Sequence, residues 1–219
     1  MTTVRATRVD LSMFSAFDPA AISIKPRLLC SSSGPTKVGK TDFALRTSPG
    51  PVWHIIMDPN AEEIHKRVVA QTGRADLHYM KLDFSKRLKQ VDAAQQWTQV
   101  MAATDAALQH GSGTLVYDTG TELYQLIRLA QFGKLSEVKP FHYGPVNAIL
   151  KDLLRSLYDS NLNVIFLHKM RKEYINDKAT GLWEPDCWGD MPFEVQTNIE
   201  HSYQEASETE PGRFLIYVR

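Results

Sequence analysis

Cysteine is nearly missing from this chain. Cys30 and Cys187 are the only two in 219 residues, far apart, with no C-x-x-C pair and no metal-ligand spacing. That excludes a disulfide framework and reads as a reduced, cytoplasmic protein. Net charge is missing as well. The 25 basic residues balance 25 acidic ones, so this is not a chain that coats nucleic acid by bulk charge, and any such contact has to come from a local patch. No apolar run approaches the roughly 18 residues that a membrane-spanning helix needs. The first twenty residues contain no apolar core of signal-peptide length. There is neither an internal repeat nor a low-complexity tract.

What the chain does have is hydrophobic content, 43% of residues, enough for one domain with a substantial core. From residue 24 onward, short apolar runs alternate with longer helical patterns. Strands are expected at 27–30, 52–58 ("VWHIIMD"), 77–82 ("LHYMKL"), 114–118 ("TLVYD") and 163–168 ("NVIFLH"). Helices are expected from 41, through 62–69, along the face of Trp97, Val100, Met101 and Leu108, and along the stripe Val146, Ile149, Leu150, Leu153, Leu154, Leu157. Strands without in-out alternation, separated by amphipathic helices, predict a mostly parallel sheet covered on both faces. Beyond 168 the pattern changes: 174–188 reads as irregular, and 195–203 with 213–218 read as a closing antiparallel pair. Residues 1–23 are set apart as an N-terminal arm, and 24–219 as the core.

The stretch "GPTKVGKT" at 34–41 is G-x-x-x-x-G-K-T, and it follows an expected buried strand and precedes an expected helix. That context is what a phosphate-cradling loop requires. Gly34 and Gly39 let the backbone bend so that the N–H groups of the loop, through Pro35, Thr36, Lys37 and Val38 to Asp42, face phosphate oxygens, and the helix start adds its positive end. Lys40 is expected to reach the β- and γ-phosphates and the Thr41 hydroxyl to coordinate Mg²⁺. Asp118 ends an apolar strand 78 residues after Lys40, where a carboxylate can hold the same ion through its water shell. No N-K-x-D guanine-reading motif occurs, which favours ATP over GTP.

The order "GPTKVGKT", "VWHIIMDPNAEE", "TLVYDTGTELYQL", "NVIFLHKMRKEY" resembles the RecA-type recombinase core. It is closer still to the small phage-encoded RecA-like ATPases associated with single-strand annealing. The resemblance covers about residues 24–219. It implies an α/β fold of the RecA-like P-loop NTPase kind, with a mostly parallel central sheet flanked by helices and a C-terminal antiparallel extension. It also implies ATP and Mg²⁺, single-stranded DNA as partner, assembly into a ring or filament, and the host cytoplasm if the chain is phage-encoded. RecA-like cores place a water-activating glutamate where this chain has Asn60. Asparagine cannot take a proton, although it can orient a water; Asp58, Glu62 or Glu63 are the carboxylates nearby. His168 and Lys169 match the position that contacts the γ-phosphate in the family and signals to a DNA-binding loop. A tether of the F-x-x-A kind has a counterpart in "FDPA" at 17–20.

Segment 168–178, "HKMRKEYINDK", holds four basic residues against two acidic ones, with Tyr174 inside it and Trp183 and Trp188 beyond. Lys169, Arg171, Lys172, Tyr174 and Lys178 form the expected DNA contact, because cations meet phosphates while rings stack on bases. Segment 133–143 is a second candidate. Residues 179–212 carry eight acidic residues and no Lys or Arg, a face suited to a basic neighbour. Two other functions remain open on the sequence: a P-loop nucleoside or nucleotide phosphotransferase, and a non-hydrolysing ATP-binding interaction module.

Overall fold

Along the chain run β1 (Leu29–Ser33), α1 (Lys40–Thr47), β2 (Val52–Ile56), α2 (Pro59–Thr72), β3 (Leu77–Lys81), α3 (Gln90–His110), β4 (Thr114–Asp118), α4 (Gly120–Phe132), α5 (Pro140–Tyr158) and β5 (Asn163–His168). They are followed by β6 (Met170–Ile175), β7 (Lys178–Pro185), the short α6 (Met191–Glu194), β8 (Thr197–Gln204) and β9 (Arg213–Val218). This computed structural model describes residues 27–83, 89–176, 178–206 and 210–219. The arm at 1–23, with its tether motif, lies outside the described residues.

Seven strands form one sheet in the order β3-β2-β4-β5-β1-β8-β9. All neighbours are parallel except β8 and β9. The central strands read as apolar runs because both faces are covered. Leu29, Ile55, Leu115, Tyr117, Val164 and Phe166 turn to one side, under α3, α4 and α5. Cys30, Val52, Val116, Ile165 and Leu167 turn to the other, under α1 and α2. The expected α/β architecture with an antiparallel closing pair is present.

Three expectations need correction. Strand β1 ends at Ser33 rather than residue 30: three serines, poor strand formers in a sequence reading, are buried there, and Ser32 Oγ bonds His201 Nε2 on β8 at 2.9 Å. Segment 174–188 is not irregular. Met170–Ile175 and Lys178–Pro185 form the antiparallel β6–β7 hairpin, a separate two-stranded sheet that turns near Asn176 at φ 50°. Its strands are largely exposed, so no apolar alternation marked them. Segment 133–143 is only partly a loop, because Pro140 already opens α5.

Helix α4, not anticipated from periodicity, starts on a T-x-x-E signal. Thr119 caps it, its Oγ1 accepting from the Glu122 amide at 3.1 Å.

Phe166 lies at the middle of β5 with its ring parallel to Tyr117, 4.7 Å between centroids, and is fully buried. Phe166→Ala is expected to lower unfolding free energy by about 3–5 kcal/mol, measured by urea denaturation. A second expectation concerns pH. Burial pushes His65 and His201 down to about 4 and His168 down to about 3, with His54 adding for His65 and the Lys40 ammonium for the other two. These values lie below the ordinary 6.5, so the unfolded chain takes up protons that the native one refuses. Their stabilising share is complete above pH 6.5 and declines as pH falls towards 4, by up to about 1.4 kcal/mol per histidine per pH unit. Melting temperature should therefore drop steadily from pH 6.5 to 5; a flat profile would contradict these burial assignments.

Candidate functional site

The register of the parallel strands builds the site. Ile56 pairs with Asp118, Asp118 with Leu167, and Leu167 with Ser32. Strands β2, β4, β5 and β1 therefore end level with one another, and the segments that follow them open on one edge of the sheet. In α/β folds that edge is where ligands bind. Here it gathers residues 34–41 after β1, Asp58 after β2, Asp118 at the end of β4, and His168 and Lys169 after β5.

Local chemistry shapes the loop. A Cβ on Gly34 would lie 2.5 Å from the His201 carbonyl oxygen, so only glycine lets the loop pass β8. Gly39 caps α1 in the left-handed region at φ 85°, ψ 12°. Val38 is buried and anchors the loop, whereas Pro35, Thr36 and Lys37 face solvent. Lys40 Nζ donates to the carbonyl oxygens of Gly34 and Pro35, each at 2.8 Å, folding the ammonium over the loop. Burial lowers the Lys40 pKa from its ordinary value, Asp118 and Asp58 oppose the shift, and Lys169 adds to it. Lysine, two carboxylates and a second lysine thus share one electrostatic environment.

Thr41 Oγ1 donates to Asp118 Oδ2 at 2.7 Å, both groups buried. A hydroxyl and a carboxylate in contact beside a helix start and a half-buried lysine are a donor set that fits a hard divalent cation with a polyphosphate. His168 is fully enclosed, and neither of its ring nitrogens has a partner among the described residues. It packs on α4 so closely that a Cβ on Gly120 would come within 2.5 Å of its Cε1. Its orphan nitrogens make this the polar group of the site most in need of a further partner.

Lys169 connects two elements. Its Nζ donates to Glu122 Oε1 on α4 at 2.6 Å and lies 3.5 Å from Asp58 Oδ2. Against the cost of burial, Glu122 and then Asp58 hold its pKa above the ordinary value. Asp58 also caps α2, its Oδ1 accepting from both the backbone and side-chain nitrogens of Asn60 at 3.0 Å.

Two side chains at sequence-expected positions are engaged elsewhere, although for Asp42 the expectation concerns only its backbone N–H. The Glu62 carboxylate is taken by Lys81 and Lys66, and their hydrogen bonds bring its pKa down to about 2, which leaves it a poor base. The Asp42 side chain turns to Arg46 and Arg67 between α1 and α2, away from the phosphate loop. Glu122 was missed, although the T-x-x-E signal at 119–122 could have found it.

The expected DNA contact becomes the β6–β7 hairpin. A cleft of about 510 Å³ is lined by Arg171, Lys172, Tyr174 and Glu184. Arg171 pairs across the hairpin with Glu184 at 2.8 Å and approaches Asp186 at 3.5 Å, so part of its charge is spent. Lys172 and Lys178 are exposed, as are Tyr174, Ile175, Leu182 and Trp183. Trp188, by contrast, is buried in the core. The acidic stretch at 179–212 is no single acidic face: Glu184 and Asp186 engage Arg171, Glu194 engages Lys151, Glu200 engages Arg219, and Glu210 engages Arg213.

Among the described residues no helix is long and apolar enough to cross a membrane. No protein-family model matches the sequence, and no curated protein matches it. Solved structures do. A prototypical ATPase from the type III secretion system of pathogenic bacteria aligns with TM-score 0.52 and 11% identity, over 80% of this chain and 51% of that one. A KaiC-like protein from the archaeon Pyrococcus horikoshii aligns with TM-score 0.47 and 14% identity, over 86% and 77%. The flagellar accessory protein FlaH from Methanocaldococcus jannaschii aligns with TM-score 0.46 and 11% identity, over 87% and 77%. At these identities the likeness is one of fold: the chain has the RecA-like P-loop ATPase fold.

Proposed function

We propose that this protein binds Mg-ATP at residues 34–41, hydrolyses it, and couples the bound nucleotide to single-stranded DNA held on the β6–β7 hairpin, in recombination or annealing of the phage type. The observation that carries the nucleotide half is the Thr41–Asp118 contact set beside Lys40 and the glycine loop. In this reading Thr41 and Asp118 hold the metal, and Lys40 with the α1 amides binds the phosphates. The bound Mg²⁺ supplies charge neutralisation on the phosphate oxygens. Asp58 is the carboxylate that receives the proton of the attacking water, with Asn60 fixing the orientation of the carboxylate; Lys169 approaches it at 3.5 Å, whereas Glu62 is hydrogen-bonded by two lysines. Lys169 and His168 sense the terminal phosphate.

The DNA half is supported by a hairpin that presents exposed Tyr174 and Trp183 among Lys172, Lys178 and Arg171, the basic-aromatic mixture that single strands favour. Self-assembly into a ring or filament belongs to the same reading. It is supported by the exposed Phe214, Ile216, Tyr217 and Val218 on β9, the edge strand of the sheet.

ATP turnover measured with and without single-stranded oligonucleotide tests the proposal. DNA-stimulated hydrolysis is expected, and Lys40→Ala or Asp118→Asn should reduce it by roughly 10²–10³-fold. Turnover indifferent to DNA would remove the DNA half and direct attention to phosphate transfer onto nucleosides and nucleotides. Tight ATP binding without turnover would establish a non-hydrolysing module instead.

For the hairpin, Tyr174→Ala is expected to weaken oligonucleotide binding by about 1–3 kcal/mol. Lys172→Ala should flatten the salt dependence by about 0.7 in log–log slope if that lysine meets one phosphate. Fluorescence anisotropy across a salt series reads both, and wild-type behaviour in both variants would take DNA off the hairpin.

A further inference from the structure

Behind Asp118 lies a pair of histidines to which the proposed nucleotide site assigns no role. His54 on β2 is fully buried, with Nε2 3.4 Å from Asp118 Oδ2. Its Nδ1 is 3.1 Å from Nδ1 of His65 on α2, and the two rings are near-parallel, 5.4 Å between centroids. His65 is buried in turn and packs against Tyr79 of β3, 4.9 Å away. Register explains the alignment. His54 stands opposite Val116 and Ile56 opposite Asp118, so His54 and Asp118 project from the same face of adjacent strands, the face that α1 and α2 cover.

The proton pattern follows from the end of the chain of contacts. An ionised carboxylate only accepts, so His54 Nε2–H donates to Asp118. The Nδ1–Nδ1 contact needs one donor and one acceptor, so with Nε2–H on His54 its Nδ1 accepts and His65 Nδ1–H donates to it. The series His65, His54, Asp118 therefore runs in one direction, and the second histidine fixes the tautomer of the first. Thr41 and His54 both converge on the same oxygen, Oδ2. Burying two imidazoles where apolar side chains would pack costs desolvation that core packing alone does not require.

We propose that His54, held by His65, is a positioning residue for the metal site: it locks the Asp118 carboxylate with Oδ2 occupied by donors, leaving Oδ1 as the oxygen that would serve a divalent ion. The inference rests on the reading of Asp118 as a metal-holding group. Outer-shell partners of this kind set metal affinity by about 10–100-fold.

The test uses the full chain with Mn²⁺ and a non-hydrolysable ATP analogue, following free Mn²⁺ by electron paramagnetic resonance. His54→Leu is expected to weaken Mn²⁺ binding at least about tenfold, while His54→Gln, whose amide can still donate to Oδ2, stays within about threefold. Affinity for the analogue without metal should be unchanged in both. Loss of Mn²⁺ affinity equal in Leu and Gln, or in neither, would overturn the proposal. Should His54→Leu fail to fold, His65→Phe leaves His54 in place but frees its tautomer, and several-fold weakening is expected; wild-type affinity there would overturn it as well. If the wild-type chain itself binds no Mn²⁺ with the analogue, the metal-site reading falls and takes this inference with it. A wild-type chain that binds, with indifferent variants, would sink the inference alone.

Discussion

The hydrogen bond from Thr41 to Asp118 is the contact on which the rest of the site depends. It joins the start of α1, which follows β1, to the end of β4, and β5 lies between those two strands. A hydroxyl and a carboxylate can meet at 2.7 Å across an intervening strand only if all three strands end level, as the pairing of Asp118 with Leu167 and of Leu167 with Ser32 makes them do. A slip of one residue would move the carboxylate by about 3.3 Å and turn it to the opposite face of the sheet. Burial on both faces prevents that slip, since it would exchange the residues under α1 and α2 with those under α3, α4 and α5. The hydrophobic core therefore sets the geometry of a polar site that contains almost none of it.

How much of this was legible in the sequence follows from what each signal depends on. Apolar runs in β2, β4 and β5 are legible because both-sided burial is written into the residues themselves, and the phosphate loop is legible because its glycines and lysine sit at fixed offsets. The serines of β1 hide a buried strand, and the partner of Ser32, His201, lies far away in the chain. The β6–β7 hairpin hides because a largely exposed ribbon needs no alternation. In sequence Glu62 is one of three carboxylates near Asn60, and nothing local announces that Lys81, on β3, reaches it. His54 and His65 are eleven residues apart on a strand and a helix, a spacing with no motif. That Asn60 cannot take a proton is plain from the residue type, but its attachment to Asp58 is visible only in three dimensions.

Charge in this molecule is arranged by local pairing rather than by region. A stretch rich in acids and empty of Lys and Arg suggests a docking face, yet five of its eight carboxylates reach outward to Arg171, Lys151, Arg219 and Arg213. Around the phosphate loop the pattern is the reverse: Lys40 and Lys169 stand among Asp58, Asp118 and Glu122. Half-buried charges in such a group interact strongly, because little water screens them. Any polyanion bound there adds to a balance that is already close.

That balance reaches the hairpin through covalent and hydrogen-bonded connections. Lys169 is the residue directly before β6, and its amide donates to Thr121 Oγ1 at 3.1 Å. The Thr121 hydroxyl donates to the Asp186 carbonyl, and the Asp186 amide returns to the Lys169 carbonyl at 2.7 Å. Both ends of the hairpin are thus tied to one threonine in the first turn of α4, three residues from Asp118. The hairpin is a sheet of its own, so its orientation is set at this base rather than by strand neighbours. Lys169 lies between Asp58 on the nucleotide side and Glu122 on the same helix turn. Within the proposed function, a phosphate that draws the Lys169 ammonium from Glu122 acts on the residue from which the hairpin springs, and the helix start that holds its other end is the one that follows Asp118. In the proposed reading, nucleotide and DNA need no long relay between them, because one turn of helix serves both.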